Sequence, residues 1–293
     1  MEGKKKELRE ISIDGCRKIG EGAHAVVYKT APDMLVKVYR EGVSPDRIHQ
    51  EQSLSRWAFV KGIPTAIPFD VVRVGSQYGT VFELLNAKSA SEYIAEFPEK
   101  LDWFIGKSVR LLKQIHAIEV EPGELPDMKQ QTYGWLEKLR TRLSSVHWEK
   151  LRQIVDAVPD RRTLLHADFH LKNIMVSGDE LMLIDMDTLC TGDPIFDLAT
   201  IYNSYREFPS FDPEAALFLG TDVETAKRIC DRTFELYLEG GTAASVRNAV
   251  NKARLLGCIR IVDFMNRHAE HPKSRSCIEY CCRDIGMLLD KTS

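Results

Sequence analysis

The sequence predicts an α+β fold in two lobes, a small strand-rich one followed by a larger, mainly helical one. Three observations carry that reading. Up to about Leu85 the apolar residues fall in short alternating runs separated by turn residues, with one helical segment among them. Beyond Leu85 they recur at helical spacing almost to the end of the chain. Between residues 163 and 187, short apolar runs bracket a dense set of polar side chains, as expected of loops held between strands.

The elements follow in order. From Cys16 to Arg40 the pattern is strand-like, with alternation through Ala25-Val26-Val27-Tyr28-Lys29, a turn at Ala31-Pro32-Asp33 and a second run from Met34 to Tyr39, which predicts two antiparallel strands. Ser44-Pro45-Asp46 starts a helix, with Ser as N-cap, Pro at the first helical position and Asp near the positive end of the dipole, and the helix runs to about Val60. Strands follow at Phe69 to Val74 and Gly79 to Leu85 around a Gly75-Ser76 turn. The spacing then predicts helices over Ser91 to Phe97, Leu101 to Ile118, Thr132 to Ser144 and Trp148 to Val158, with breaks at Glu121-Pro122-Gly123 and Leu125-Pro126-Asp127. Three more are expected at Val223 to Leu238, Ala243 to Arg267 and Ser274 to Leu289. The lobe boundary falls near Asn86 to Ser89, giving lobes over 1–86 and 87–293.

Composition bounds the partners. The chain has 293 residues, 44% hydrophobic and 28% charged, enough for two lobes with packed cores. A net charge of -3 supplies no strong field, so neither nucleic acid nor an anionic membrane surface is expected as a partner. No apolar run approaches a membrane span or signal peptide, and the chain reads as cytoplasmic. Seven cysteines without paired metal-ligand spacing read as reduced core residues.

The polar cluster carries chemistry. Asp168 stands five residues before Asn173, and Asp185 follows twelve residues later. This is the spacing that places a base, an amide ligand and a second carboxylate around a metal-bound nucleotide and an acceptor hydroxyl. Asp168 is expected to orient or accept the hydroxyl proton, with Asn173 and Asp185 holding Mg²⁺, a hard cation that favours oxygen ligands. His166 is expected to brace the loop by hydrogen bonding, with a purely structural role as the alternative, and His170 is a candidate to face substrate.

A phosphate anchor is also legible. Lys37 interrupts an apolar strand on the face shared by Leu35 and Tyr39, so it either snorkels to water or needs a buried partner. Glu51, at helical spacing from Ile48 and Leu54 on the helix of the first lobe, is that partner, and Glu41 is less well placed. Gly20-Glu21-Gly22 permits backbone N–H groups to approach phosphate, although Gly-x-Gly in a hairpin also serves as plain turn chemistry.

Together these residues resemble the kinase-like phosphotransferases of small molecules, the aminoglycoside phosphotransferases and the related choline and sugar kinases. The resemblance rests on Gly20-Glu21-Gly22, Lys37, Glu51, His166-x-Asp168-x-x-x-x-Asn173, Asp185 and the run Gly192-Asp193-Pro194-Ile195-Phe196-Asp197-Leu198-Ala199, spread over about residues 16 to 200. It implies a protein-kinase-like fold with a nucleotide-binding lobe over 1–86 and a catalytic and substrate-binding lobe over 87–293, including a helical insertion near 121–160. The implied nucleotide set is Gly20, Gly22, Val27, Leu35, Lys37 and Glu51, with Glu83 and Leu85 at a hinge. Asp168 and His166 are implied as catalytic, Asn173 and Asp185 as metal ligands, and Asp197 as structural. The donor is ATP or GTP, and the acceptor a small-molecule hydroxyl. Ala25 replaces the third loop glycine and Asp187 stands where protein kinases put the glycine of Asp-Phe-Gly. Only twelve positions separate Asp185 from Asp197, with no Ala-Pro-Glu segment, which disfavours a protein substrate. The remaining alternative is a kinase-fold nucleotide-binding regulator, which has no need of a base.

Overall fold

The computed structural model describes residues 8–22 and 24–291. They divide into two compact units, one formed by the chain up to Lys88 with Ile174–Asp187, the other by Ser89–Asn173 with the chain from Thr188 onward. None of the described helices is long and apolar enough to cross a membrane.

The first unit is built on a five-stranded antiparallel sheet of β1 (Arg17–Glu21), β2 (Ala25–Ala31), β3 (Met34–Tyr39), β4 (Pro68–Val74) and β5 (Gln77–Glu83), in the order β1-β2-β3-β5-β4. Four of these strands, β2 to β5, match the sequence reading within a residue or two at their ends, but β1 was not foreseen as a strand of its own. Its polar residues, paired as Arg17↔Lys29 and Gly20↔Val27, carry no apolar alternation. Alternation on β3 sorts its two faces. Val36 and Val38 join Val72, Val74 and Val81 in one apolar cluster, while Tyr39 joins Ala25, Ile48 and Val71 in another, formed against the helix. That helix, α1 (Pro45–Val60), begins as its residues dictate, with the Ser44 side chain accepting from the Arg47 N–H. Its buried stripe is Ile48, Glu51, Ser55 and Ala58, so one carboxylate lies on the apolar face.

The hairpin of Ile174–Ser177 and Glu180–Leu183 belongs to this first unit. The sequence reading left it with the C-terminal lobe by its position along the chain. Leu183 N donates to Pro64 O at 2.7 Å and pairs in a bridge with Thr65, which ties the hairpin to the segment before β4.

The second unit is mainly helical: α2 (Ala90–Glu96), α3 (Leu101–Ile115), α4 (Met128–Glu137), α5 (Ser145–Asp156), α6 (Ile195–Tyr202), α7 (Phe208–Phe211), α8 (Glu214–Phe218), α9 (Val223–Tyr237), α10 (Ala243–Arg267) and α11 (Ser274–Lys291). Two short antiparallel strands, Thr163–Leu165 and Cys190–Gly192, pair with Leu165 opposite Cys190. The first delivers the chain into the polar loop at His166. α4 starts at Met128, earlier than the spacing suggests, because Asp127 caps it by accepting from Gln130 N at 2.8 Å. Between α6 and α7, Asn203–Glu207 forms a π-helical turn that sequence periodicity does not reveal.

Candidate active site

In the first unit the Lys37 ammonium donates to Glu51 Oε1 at 2.6 Å and to Asp185 Oδ1 at 2.8 Å. β3 carries the lysine, α1 the glutamate, and the chain leaving the 174–183 hairpin the aspartate. The Glu51 side chain is only 6% exposed, so its charge needs this partner. Burial works against the ammonium, but Asp185 and then Glu51 outweigh it and hold the Lys37 pKa above its ordinary value. Asp185 has φ 66°, a left-handed conformation unusual for a residue with a side chain. Beside it, Asp187 lies 3.6 Å from Arg47. Burial first, then the charges of Asp185 and Glu51, raise the Asp187 carboxyl to about 6.

The second unit holds the loop from His166 to Asn173. Ala167 has φ 62°, and such a conformation in a non-glycine residue costs on the order of 1–3 kcal/mol. Asp197 offsets it. Its fully buried carboxylate accepts from His166 N at 3.0 Å and Ala167 N at 2.6 Å, and is hydrogen-bonded by His116 Nε2 at 3.0 Å. His116 Nδ1 in turn meets the Tyr237 hydroxyl at 2.6 Å. Burial opposes the Asp197 charge, and the hydrogen bond from His116 leads the effects that hold its pKa below the ordinary carboxylate value. Tyr205, on the π-helical turn, receives Leu171 N at 2.9 Å and fixes the far side of the loop.

Asp168 is thereby presented with its side chain about 40% exposed. Asn173 Nδ2 donates to its carboxylate at 2.8 Å and to its carbonyl at 2.9 Å. That spends the amide's N–H groups on Asp168 and leaves the amide oxygen, the atom a hard cation would take. His170 Nε2 stands 3.4 Å from Asp168 Oδ2. Burial alone would raise the Asp168 pKa, but the hydrogen bond and charge of His170, then His166 and Arg260, hold it below the ordinary range. His166, fully buried, accepts from Asp168 N through Nδ1 at 3.2 Å, and its carbonyl accepts from Thr188 Oγ1 at 2.7 Å.

The structure therefore brings Lys37, Glu51 and Asp185 together in one unit, and His166, Asp168 and Asn173 together in the other. Gly20 and Gly22 flank the end of β1, where Gly22 N donates to Ala25 O at 2.9 Å. A Cβ on either would meet only ordinary contacts, so the chain itself does not demand glycine there. Val27 lies opposite Lys37 in the β2–β3 register, and Leu35 lies opposite Lys29. At the hinge, Glu83 N donates to Ile67 O and Leu84 N to Asp33 O, which leaves Leu85 as the hinge position whose N–H is not spent in these bonds. Sequence reading missed Arg47 as a partner of Asp187, and His116 and Tyr237 as supports of Asp197. The Asp185-x-Asp187 spacing was a visible signal for the first, but no local pattern marks the other two.

The model of the phosphotransferase enzyme family matches residues 15–227. No curated protein sequence matches the chain. Among solved structures, a thermostable mutant of aminoglycoside phosphotransferase APH(4)-Ia, in ternary complex with ADP and hygromycin B, superposes with a TM-score of 0.65 at 13% identity, covering 93% of each chain. A choline/ethanolamine kinase family protein from Mesorhizobium loti gives 0.59 at 14% identity, covering 94% of this chain and 87% of that one. The gentamicin complex of APH(2")-IIa gives 0.57 at 17% identity, covering 92% and 90%. These likenesses show a shared kinase-like fold. With most of its length matched by the family model, the chain belongs to the phosphotransferase enzyme family and is a kinase, a phosphotransferase with an alcohol group as acceptor.

Proposed function

We propose that the protein moves the γ-phosphoryl group of a Mg²⁺-bound ATP or GTP to a hydroxyl of a small molecule, with the first unit holding the nucleotide and the second the acceptor. The observation that carries this reading is the Lys37 ammonium held between Glu51 at 2.6 Å and Asp185 at 2.8 Å. Phosphoryl transfer asks little covalent chemistry of a protein and much positioning and charge stabilisation. Lys37, fixed in direction by Glu51, would meet the α- and β-phosphates.

The donor set suits Mg²⁺. Glu51, Asp185 and Asp187 place three carboxylates against the two cations Lys37 and Arg47, and every candidate ligand atom is oxygen. Asp185 and the Asn173 oxygen are the proposed ligands, and the bound ion would neutralise charge on the phosphates. Asp168 accepts the acceptor's O–H and aims its oxygen at phosphorus. Because this carboxylate is held ionised and is a weak base, it orients the hydroxyl through most of the reaction and takes the proton as the O–P bond forms. His166 and Asn173 fix Asp168 through hydrogen bonds on either side of it along the loop.

A small acceptor is favoured over a protein because the twelve positions from Asp185 to Asp197 are used up by a 3₁₀ turn (Met186–Thr188), the strand Cys190–Gly192 and the start of α6. No length remains for an activation loop. The test is transfer of label from γ-³²P nucleotide to a panel of amino alcohols, sugars, hydroxy acids and aminoglycosides, with and without Mg²⁺. Mg²⁺-dependent label in one acceptor class supports the reading. Tight nucleotide binding with no transfer to any acceptor would favour a regulator instead.

A further inference from the structure

Three buried donors meet where α10, α11 and the π-helical turn pack together. Helix α10 crosses that turn at Gly257, where a Cβ would lie 2.1 Å from Asn203 Oδ1, so that only glycine permits the approach. Asn203 Nδ2 donates to the Gly257 carbonyl at 3.1 Å and fixes the crossing. The next residue, Cys258, is thereby set against Glu207 at the end of the turn and Asp284 on α11. Its Sγ stands 3.8 Å from Glu207 Oε1 and 3.9 Å from Asp284 Oδ2. All three residues are at most 2% exposed, and their ligand atoms lie within 4.8 Å of one another. No spacing along the chain marks them, since Glu207 and Asp284 stand 51 and 26 positions from Cys258.

Arg254 divides the carboxylate oxygens. One turn before Cys258 on α10, it lies 3.5 Å from Glu207 Oε2 and pairs with Asp284 Oδ1, the two oxygens that the thiol does not meet. The guanidinium thus fixes each carboxylate by one oxygen and leaves Oε1 and Oδ2 beside the sulfur. A thiol carries one proton and is a weak donor, so it cannot serve both. Metal-binding carboxylates are held in this way, by a hydrogen-bonding group behind the ligating atom. The distances agree. With Zn–S of about 2.3 Å and Zn–O of about 2.0–2.2 Å, a sulfur and an oxygen in a tetrahedral zinc site stand about 3.6 Å apart. The charges agree as well, because two carboxylates and a thiolate against one guanidinium leave two negative charges, which one divalent cation cancels.

We propose that Glu207, Cys258 and Asp284 form a structural site for Zn²⁺, bound through Oε1, Sγ and Oδ2, that joins α10, α11 and the π-helical turn. On binding, the Cys258 S–H bond breaks as the sulfur–metal bond forms, the proton leaves to solvent, and nothing is oxidised or reduced. The Cys281 thiol, hydrogen-bonded to Cys258, is a fourth donor within reach. A thiolate ligand separates this site from the all-oxygen set proposed for Mg²⁺. Tyr205, two residues before Glu207 on the same turn, holds Leu171 N in the loop that carries Asp168, so the metal would brace the support of that loop. The inference does not depend on the phosphotransfer reading.

The test uses the full chain, stripped of metal with a chelator, kept under a thiol reductant and titrated with Co²⁺ or Zn²⁺ while excess Mg²⁺ fills oxygen-only sites. The expected result is uptake of about one Co²⁺ per chain with a sulfur-to-cobalt charge-transfer band in the near ultraviolet, which Zn²⁺ abolishes by displacement. Zn²⁺ at about a hundredfold excess over its Kd is expected to raise the melting temperature by about 5 °C. Cys258→Ala loses the band, Glu207→Gln and Asp284→Asn weaken binding by at least about 100-fold, and Arg254→Gln weakens it by about 10–100-fold. Cys230→Ala, which removes a buried thiol of α9, leaves the band intact. A wild-type chain with no thiolate band and no Zn²⁺-dependent rise in melting temperature overturns the inference without recourse to any variant. So does a band unchanged in Cys258→Ala. No readout involves nucleotide or acceptor, so failure here leaves the proposed function standing, and absence of phosphotransfer leaves this site standing.

Discussion

The charged cluster of the first unit and the polar loop of the second are held in place by different forces. Lys37, Glu51 and Asp185 are fixed by attraction between opposite charges. Asp168 is fixed by a scaffold: Asn173 on its carboxylate, His166 on its N–H, and behind them Asp197 gathering two backbone N–H groups and His116. A cluster balanced by charge changes its partners when a phosphate or cation arrives. A loop held by a buried hydrogen-bond network keeps its geometry whatever binds. The difference fits the division of work proposed above, in which phosphates and metal would come and go while the hydroxyl is aimed the same way each time.

Breaking each region tests the contrast. The largest effect is expected from Asp168→Ala, with turnover falling by about 10²–10⁴ in steady-state assays and nucleotide affinity retained, as follows from its proposed role on the acceptor side. Asp197→Ala is expected to cost about 3–5 kcal/mol in chemical denaturation, since it strips a fully buried carboxylate from its partners and releases the strained Ala167. Urea midpoints equal to wild type would show that the loop does not depend on it. Lys37→Ala is expected to lower kcat by about 10²–10³ and to raise KM for nucleotide, with less effect on folding.

The smallest effect belongs to a third cluster, Glu207 and Asp284 sharing Arg254. Burial, then the charge of Asp284, raises the Glu207 carboxyl from 4.5 to about 7. The folded state therefore binds this proton more tightly than the unfolded chain. The resulting stability is complete below pH 4.5 and is lost as the pH rises through about 7, amounting to at most about 3 kcal/mol. Melting temperatures of Glu207→Gln are expected to flatten across that window, and an unchanged pH slope would exclude Glu207 as its source.

The first unit was more legible than the second because its signals are local contradictions. A lysine inside an apolar strand and a glutamate on an apolar helix stripe each break a pattern, and each asks for the other. The cap Ser44-Pro45-Asp46 and the span Ala243–Arg267 were readable from residue chemistry in the same way. What failed to show are features set by tertiary contact. β1 is polar and becomes a strand by pairing with β2. The 174–183 hairpin joins the first unit through a bond to Pro64 that no spacing announces. His116, at the C-terminal end of α3, and Tyr237, at the end of α9, sit on ordinary amphipathic helices, and the Asp197 they support is far away in the chain.

The most direct test of the contrast is to measure, side by side in Asp168→Ala and Lys37→Ala, the Kd for MgADP and the single-turnover rate of phosphoryl transfer. The account expects Asp168→Ala to lose the rate and keep the affinity, and Lys37→Ala to lose both. Equal losses of affinity in the two variants, or a normal transfer rate in Asp168→Ala, would contradict it.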